Sequence, residues 1–186
     1  MRRAKDIHER KTFMRKVTMI LIISITLTIL FIAGFPRSGG AQQMKQQLGG
    51  AWTLVDVYFE WQDGHRTQPY GPNVKGRLWI DPTGLFGIQV IGADRPKFKS
   101  SDRREGTAEE NATVVKMTET FFGTYTLNDA EQNITMQLER SIFPNWDGSV
   151  RKYRVVFKDG EMLTVGSPTP SATGSFTPNL LWKQPK

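Results

Sequence analysis

Residues 123–142 read GTYTLNDAEQNITMQLERSI, which is the pattern of a β-hairpin. In the second half, polar residues alternate with the apolar residues Ile134, Met136 and Leu138. This alternation places apolar side chains on one face of a strand and polar side chains on the other. Asn128-Asp129 is a turn signal between the two runs. The stretch therefore predicts two antiparallel strands, 123–127 and 134–142, with one face in a core and the other in water.

Similar short runs, rich in β-branched and aromatic residues and each closed by a turn signal, lie on both sides of this hairpin. They predict six further strands at residues 52–61, 75–80, 85–91, 150–157, 162–165 and 180–183. Thr107 and Glu110 have the spacing of a capping box, which predicts one helix after the third strand. Eight strands joined by hairpins need protected edges. We therefore predict an all-β fold, an eight-stranded up-and-down antiparallel barrel with one helical insertion, with a sandwich as the alternative.

The N-terminal part has a different composition. Residues 1–16 are basic, and residues 17–35 read VTMILIISITLTILFIAGF without a charge. As a helix, this run would nearly cross a hydrocarbon core of about 30 Å. We interpret residues 1–41 as a signal peptide, cleaved after the small residues 39–41, or as a retained signal anchor. In both cases the positive-inside rule predicts that the following domain is extracytoplasmic, either periplasmic or secreted.

The remainder of the chain divides into a short linker and one domain. Residues 42–50 are polar and contain Gly49 and Gly50, which predicts a linker. Residues 51–186 have the length of a single ordinary domain. The chain has no Cys, which excludes disulfides, thiolate chemistry and Cys-based zinc sites.

The net charge of +7 comes mainly from the leader. Residues 1–41 hold eight of the 25 basic and two of the 18 acidic residues, so the remainder is near neutral. The one basic run in the domain, residues 95–104, is diluted by neighbouring acidic residues. We therefore predict no nucleic-acid binding.

Several motifs of the domain resemble those of one protein family. Gly50-Ala51-Trp52 has the G-x-W pattern of the first lipocalin strand, whose tryptophan plugs one end of the barrel. The further motifs are Asp94-Arg95-Pro96 with Phe98, Asp102-Arg103, Gly106-Thr107 with Glu109-Glu110, Phe122-Gly123-Thr124-Tyr125 and Phe143-Pro144-Asn145-Trp146. Together they resemble a bacterial lipocalin-like domain family over about residues 48–183. The resemblance implies an eight-stranded barrel and supplies no agreed catalytic residues. A T-D-Y motif is missing, and the helical insertion is foreign to true lipocalins.

Candidate ligand-binding residues lie near the predicted barrel ends: Arg95, Phe98, Tyr125, Phe143 and Trp146. Arg95 can pair with a ligand carboxylate, or with Asp94 within its loop, and Tyr125 offers a second polar anchor. The aromatic residues can form a binding rim or pack into the core. Trp52 is predicted to be structural, as the barrel plug.

Metal and cofactor chemistry find little support in the sequence. His65 is the only histidine of the predicted domain, and the acidic spacing of a calcium loop is missing. We predict no catalytic residue, no metal and no cofactor.

These observations favour an extracytoplasmic lipocalin-like binding protein for a small, mainly apolar molecule. Its partners would be that ligand and, if the leader is retained, the membrane through residues 17–35. One alternative is a barrel enzyme of the cyclase or isomerase type, which predicts an inward titratable group with a shifted pKa. The other is a filled structural or interaction barrel, which predicts large side chains at every inward position.

Overall fold

The computed structural model describes residues 40–128 and 130–185. The helices and strands are α1 (Gly40–Leu48), β1 (Gly50–Trp61), β2 (Arg66–Thr67), β3 (Lys75–Ile80), β4 (Leu85–Ile91), α2 (Ala108–Lys116), β5 (Thr118–Asn128), β6 (Asn133–Ser141), β7 (Val150–Lys158), β8 (Glu161–Gly166), β9 (Thr169–Ser171) and β10 (Gly174–Lys183). Single 3-10 turns occur at Arg103–Glu105 and Pro144–Trp146. The predicted hydrophobic segment 17–35 lies outside the described residues. Within the described part, no helix has both the length and the apolar character of a membrane span.

Eight strands form a closed antiparallel barrel. They pair in the order β1-β3-β4-β5-β6-β7-β8-β10, and β10 returns to pair with β1, with Trp61 opposite Phe176. The short strands β2 and β9 only extend β1 and β10. The predicted up-and-down barrel is confirmed, as is its helical insertion, α2, which begins with the predicted capping box between Thr107 and Glu110.

The hairpin of β5 and β6 shows why the sequence folds this way. Ile134, Met136 and Leu138 are buried, while the residues between them face outward. Strand β5 begins at Thr118, earlier than predicted, and has a bulge between Phe122 and Gly123. A Cβ atom at Gly123 would lie 2.0 Å from the carbonyl oxygen of Gln137, so the close approach of the two strands requires glycine here.

The two ends of the barrel have different structures. We call the end where β3 turns into β4 the plugged end, and the end that carries the connections 62–74, 92–117, 142–149 and 167–173 the mouth. Trp52, Met162 and Trp182 fill the plugged end and are at most 2% exposed. Burial of such large apolar side chains is the main source of stability, worth about 25 cal/mol per Å².

The segment predicted as a linker, residues 42–50, is mostly helical. Helix α1 covers Gly40–Leu48, and Met44 and Leu48, which lie four residues apart on one helical face, are buried in the core cluster. The indole Nε1 of Trp52 donates a hydrogen bond of 2.8 Å to the carbonyl oxygen of Leu48. The core cluster consists of residues between Met44 and Trp182, and the chain from Gly40 onward forms one compact unit with its own closed barrel. Residues 40–186 therefore carry the closed barrel and its described core.

Candidate functional site

Inward-facing side chains are packed differently at the two ends. At the plugged end Trp52, Met162 and Trp182 are fully buried, while Phe157 is half-buried. At the mouth, the partly accessible inward side chains include Phe59, Glu119, Arg151 and Phe176. Two of these four carry charge. The plugged end is thus lined by apolar side chains, whereas the partly accessible inward side chains of the mouth include charged ones.

Three strands or connections bring polar groups together in the mouth. Side chains alternate along a strand, so Glu119 shares the inward face of β5 with the buried Phe121, and Arg151 shares that of β7 with the buried Tyr153. Tyr70 enters from the connection between β2 and β3. We call Tyr70, Glu119, Arg151 and Tyr153 the mouth cluster.

Tyr70 and Glu119 form a direct contact within the cluster. The Tyr70 hydroxyl donates a short hydrogen bond to Oε2 of Glu119. Part of the Glu119 side chain is accessible, but protein surrounds its carboxyl group, and this burial raises the pKa of Glu119. The Tyr70 hydrogen bond and the charge of Arg151 act in the opposite direction without offsetting burial.

The two tyrosines of the cluster are hydrogen-bond donors. Burial raises the pKa of Tyr70 first, and the negative charge of Glu119 raises it further. The same two causes, in the same order, raise the pKa of Tyr153. Both hydroxyls therefore remain protonated at neutral pH.

Arg151 lies between aromatic rings. Its Cζ atom is 4.0 Å from the ring centroid of Trp146 and 5.6 Å from that of Phe121, distances of cation–π contact. The Nε–H of Arg151 is buried and has no acceptor among the residues that the structure describes. None of the five ion pairs in the described part of the chain includes Arg151. Since arginine stays charged in proteins, the mouth contains a cationic donor without an anionic partner.

A cavity of about 130 Å³ adjoins this guanidinium. Strand β8 ends at Gly166, opposite Tyr153, while β7 continues to Val150, so the wall of the barrel opens there. Arg151, Tyr153, Gly166 and Pro178 are among the residues that line the opening.

A larger cleft of about 310 Å³ lies at the plugged end and is lined partly by Gln47, Trp52 and Phe157. Among the described residues, none that lines this cleft has a buried side-chain donor or acceptor without a partner. This cleft therefore has no counterpart of the buried, unpartnered Nε–H of Arg151 among its described lining residues.

The predicted residues Arg95 and Phe98 belong to the helical insertion. Arg95 is exposed, and its Nε donates a 3.2 Å hydrogen bond to the carbonyl oxygen of Gly92. Phe98 is half-buried against Gly106, where an added Cβ would lie 2.5 Å from the phenyl ring. Both contacts are made within the connection 92–117.

The other predicted residues lie at both ends of the barrel. Trp146 contacts Arg151 in the mouth, and Phe143, which is 40% exposed, packs edge-on against Trp146 at 5.4 Å. Tyr125 lies at the plugged end, where its hydroxyl donates a 2.8 Å hydrogen bond to the carbonyl oxygen of Asp81. Tyr125 and Arg95 thus do not converge on one site. Trp52 is buried at the plugged end.

The mouth cluster itself was missed by the sequence reasoning. The sequence of β7 does indicate it: Arg151 is followed at every second position by Tyr153, Val155 and Phe157. Alternation therefore places the charged Arg151 on the same strand face as these three apolar or aromatic residues. Glu119 was missed because strand β5 was predicted to begin at Gly123. The described part of the chain has no group of three or more His, Asp or Glu placed to hold a metal ion.

A closed meander of eight strands, plugged by a tryptophan at one end and polar at the other, defines a lipocalin-type barrel. The sequence matches the family model of the lipocalin-like domain over residues 49–184. The chain therefore belongs to this family, and the resemblance seen in the sequence is confirmed. No curated protein shows a significant match to the chain.

Several solved structures are similar to the chain, among them the following three. A lipocalin-like protein from Bacteroides uniformis is 16% identical, with 74% of this chain and 99% of that one covered and a TM-score of 0.40. A protein from Bacteroides eggerthii is 16% identical, with the same shares covered and a TM-score of 0.38. Lobster apocrustacyanin A1 is 12% identical, with 78% and 66% covered and a TM-score of 0.38.

Proposed function

We propose that this protein binds a small, mainly apolar molecule in the mouth of its barrel. The observation that carries the proposal is the chemistry of the mouth: aromatic and charged side chains face inward there and stay partly accessible, whereas the plugged end is lined by apolar side chains. Phe59 and Phe176 stack there at 4.2 Å and offer an apolar surface beside the mouth cluster. Ligand sites combine such apolar walls with a few polar groups.

A neutral fluorescent probe, N-phenyl-1-naphthylamine, tests this proposal with residues 40–186. We expect saturable binding with one probe per chain. The Phe176→Ala variant removes an aromatic wall of the mouth and should weaken binding. Trp79→Ala is the matched control because Trp79 is 44% exposed and faces outward from β3. Loss of binding in the control but not in Phe176→Ala would show that the probe adheres to the outer wall, and the proposal would fail.

One observation favours an enzyme as the second candidate. A barrel enzyme of the cyclase or isomerase type needs a titratable group that faces its substrate, and Glu119 is an inward carboxyl group whose pKa is raised by burial. Turnover of a bound ligand by the wild-type protein, lost in Glu119→Gln with binding retained, would establish this function. Unchanged ligand after prolonged incubation would favour the carrier.

The proposed location is outside the cytoplasm, supported by the basic segment 1–16 and the apolar segment 17–35. A C-terminal fusion to a reporter enzyme that is active only outside the cytoplasm tests the orientation. The mass of the purified protein then distinguishes a cleaved leader from a retained anchor. An inactive reporter on an intact, expressed fusion would contradict the proposed location.

A further inference from the structure

We propose that Arg151 binds a carboxylate group of the ligand, so that the preferred ligands are apolar acids whose charged end lies in the mouth cluster. This inference rests on the proposed function and adds the chemical class of the ligand. It depends on four observations of the mouth: the unpartnered Nε–H, the missing counter-ion, the hydroxyl donor of Tyr153 and the adjoining cavity.

The unpartnered donor is the first observation. A buried donor without an acceptor costs free energy, and the cost is larger when the group is charged. The Nε–H of Arg151 is such a donor within the described residues. Nε and a terminal nitrogen of a guanidinium present two parallel N–H groups, which match the two oxygens of a carboxylate. A ligand carboxylate would provide the acceptor that the protein does not.

The state of Glu119 explains why this side chain does not act as the counter-ion. Its Oε2 accepts the hydrogen bond of Tyr70, and no ion pair between Glu119 and Arg151 occurs in the described part of the barrel. Burial also makes Glu119 easier to protonate than an exposed glutamate. The positive charge of Arg151 is therefore left for another anion.

The surroundings of Arg151 fix its position. Trp146 and Phe121 hold the guanidinium by cation–π contact, and the edge-on packing of these two rings at 6.5 Å supports the arrangement. The cavity beside Arg151 is also lined by Tyr153, whose protonated hydroxyl is a second donor to an anion. A cavity of about 130 Å³ accommodates the acid group and a few further atoms. The apolar body would extend toward Phe59 and Phe176.

Dodecanoate and dodecanol have the same apolar chain and differ in the head group. Comparing them therefore distinguishes binding of an apolar molecule from recognition of its carboxylate. Binding to residues 40–186 is measured by isothermal titration calorimetry below the concentration at which either compound forms micelles or aggregates. We expect wild type to bind dodecanoate at least about tenfold more tightly than dodecanol, since a hydrogen bond to a charged group is worth that factor or more.

Two variants identify the residue responsible. Arg151→Met keeps the length of the side chain and removes the charge and the donors. We expect it to lose the preference for dodecanoate while its affinity for dodecanol is retained. Arg154→Met is the matched control: it makes the same substitution on the same strand, at an exposed, outward position that is not among the residues lining the cavity. Circular dichroism and urea midpoints verify that both variants are folded.

The outcomes are distinguishable. Equal binding of acid and alcohol by wild type would overturn the carboxylate inference and leave the proposed function standing. An acid preference that persists in Arg151→Met, or that is lost in Arg154→Met, would overturn the role of Arg151. Binding of neither compound, together with no binding of the neutral fluorescent probe, would overturn the proposed function itself.

Discussion

Replacement of Leu48 by Ala tests whether helix α1 belongs to the barrel or is a linker. Leu48 is 1% exposed, and its carbonyl oxygen accepts the indole hydrogen bond of Trp52. Leu→Ala removes three carbon atoms. At about 0.8 kcal/mol for each buried carbon, the lost burial amounts to roughly 2.4 kcal/mol, and the remaining cavity adds to this. We expect the free energy of unfolding to fall by about 2.5 to 5 kcal/mol.

Urea unfolding of residues 40–186, followed by tryptophan fluorescence, measures this loss. The urea midpoint should fall, while the slope of the free energy of unfolding against urea concentration should stay the same. This combination means that the stability has changed and the compactness of the folded and unfolded states has not. Gln46→Ala is the control on the same helix because Gln46 is exposed. Its effect should stay within about 0.5 kcal/mol.

The reasoning would be refuted if Leu48→Ala were as mild as Gln46→Ala. That result would mean that α1 does not pack on the barrel in solution, and residues 42–50 would be the linker that their composition predicts.

Three further predictions concern other parts of the barrel. Burial raises the pKa of Glu119 in the folded state, so the contribution of this group to stability is fully present below the ordinary glutamate pKa of 4.5 and is lost as pH rises through the folded-state pKa. In urea unfolding, the free energy of unfolding of Glu119→Gln should therefore exceed that of wild type by an amount that grows with pH. A constant difference would contradict the burial of the carboxyl group. Gly123→Ala should lower the free energy of unfolding by about 1 to 3 kcal/mol because the added Cβ meets the backbone of β6. Gly87→Ala, whose Cβ would lie 3.6 Å from Trp79, should leave it unchanged, and urea unfolding measures both variants. Trp52→Phe removes the donor to the Leu48 carbonyl and should cost about 1 to 3 kcal/mol in urea unfolding; an unchanged midpoint would show that water replaces that bond.

The sequence predicted the barrel because its strands carry the signal in local patterns. Alternation in β6 and turn residues between strands depend only on neighbours along the chain, and in β6 they place Ile134, Met136 and Leu138 correctly on the inward face. Strand β10 was predicted only from Leu180, although it begins at Gly174, because Pro178 interrupts the pattern. Pro178 lies just beyond the last residue pair between β10 and β8, Asn179 with Val165, at a place where the pairing of β10 with β8 has ended.

Helix α1 was not predicted because its composition is polar. Of the side chains that the structure describes in this helix, Met44 and Leu48 are buried, and two apolar residues are too few to define a period in a nine-residue helix. Its position is determined by tertiary contact with Trp52, which no local pattern reveals.

The mouth cluster combines residues that lie far apart in the chain, and this is why the candidate site was only partly predicted. Trp146 was identified because aromatic residues beside a turn have a limited set of roles, and the structure places its ring against Arg151. Arg151 and Glu119 look like ordinary charged residues of exposed strands until the barrel closes and brings β5 and β7 to face one interior. A charged residue at an inward position costs burial energy unless it has a partner. The cost of retaining Arg151 there without a protein counter-ion is what makes a ligand anion the most economical explanation of the site.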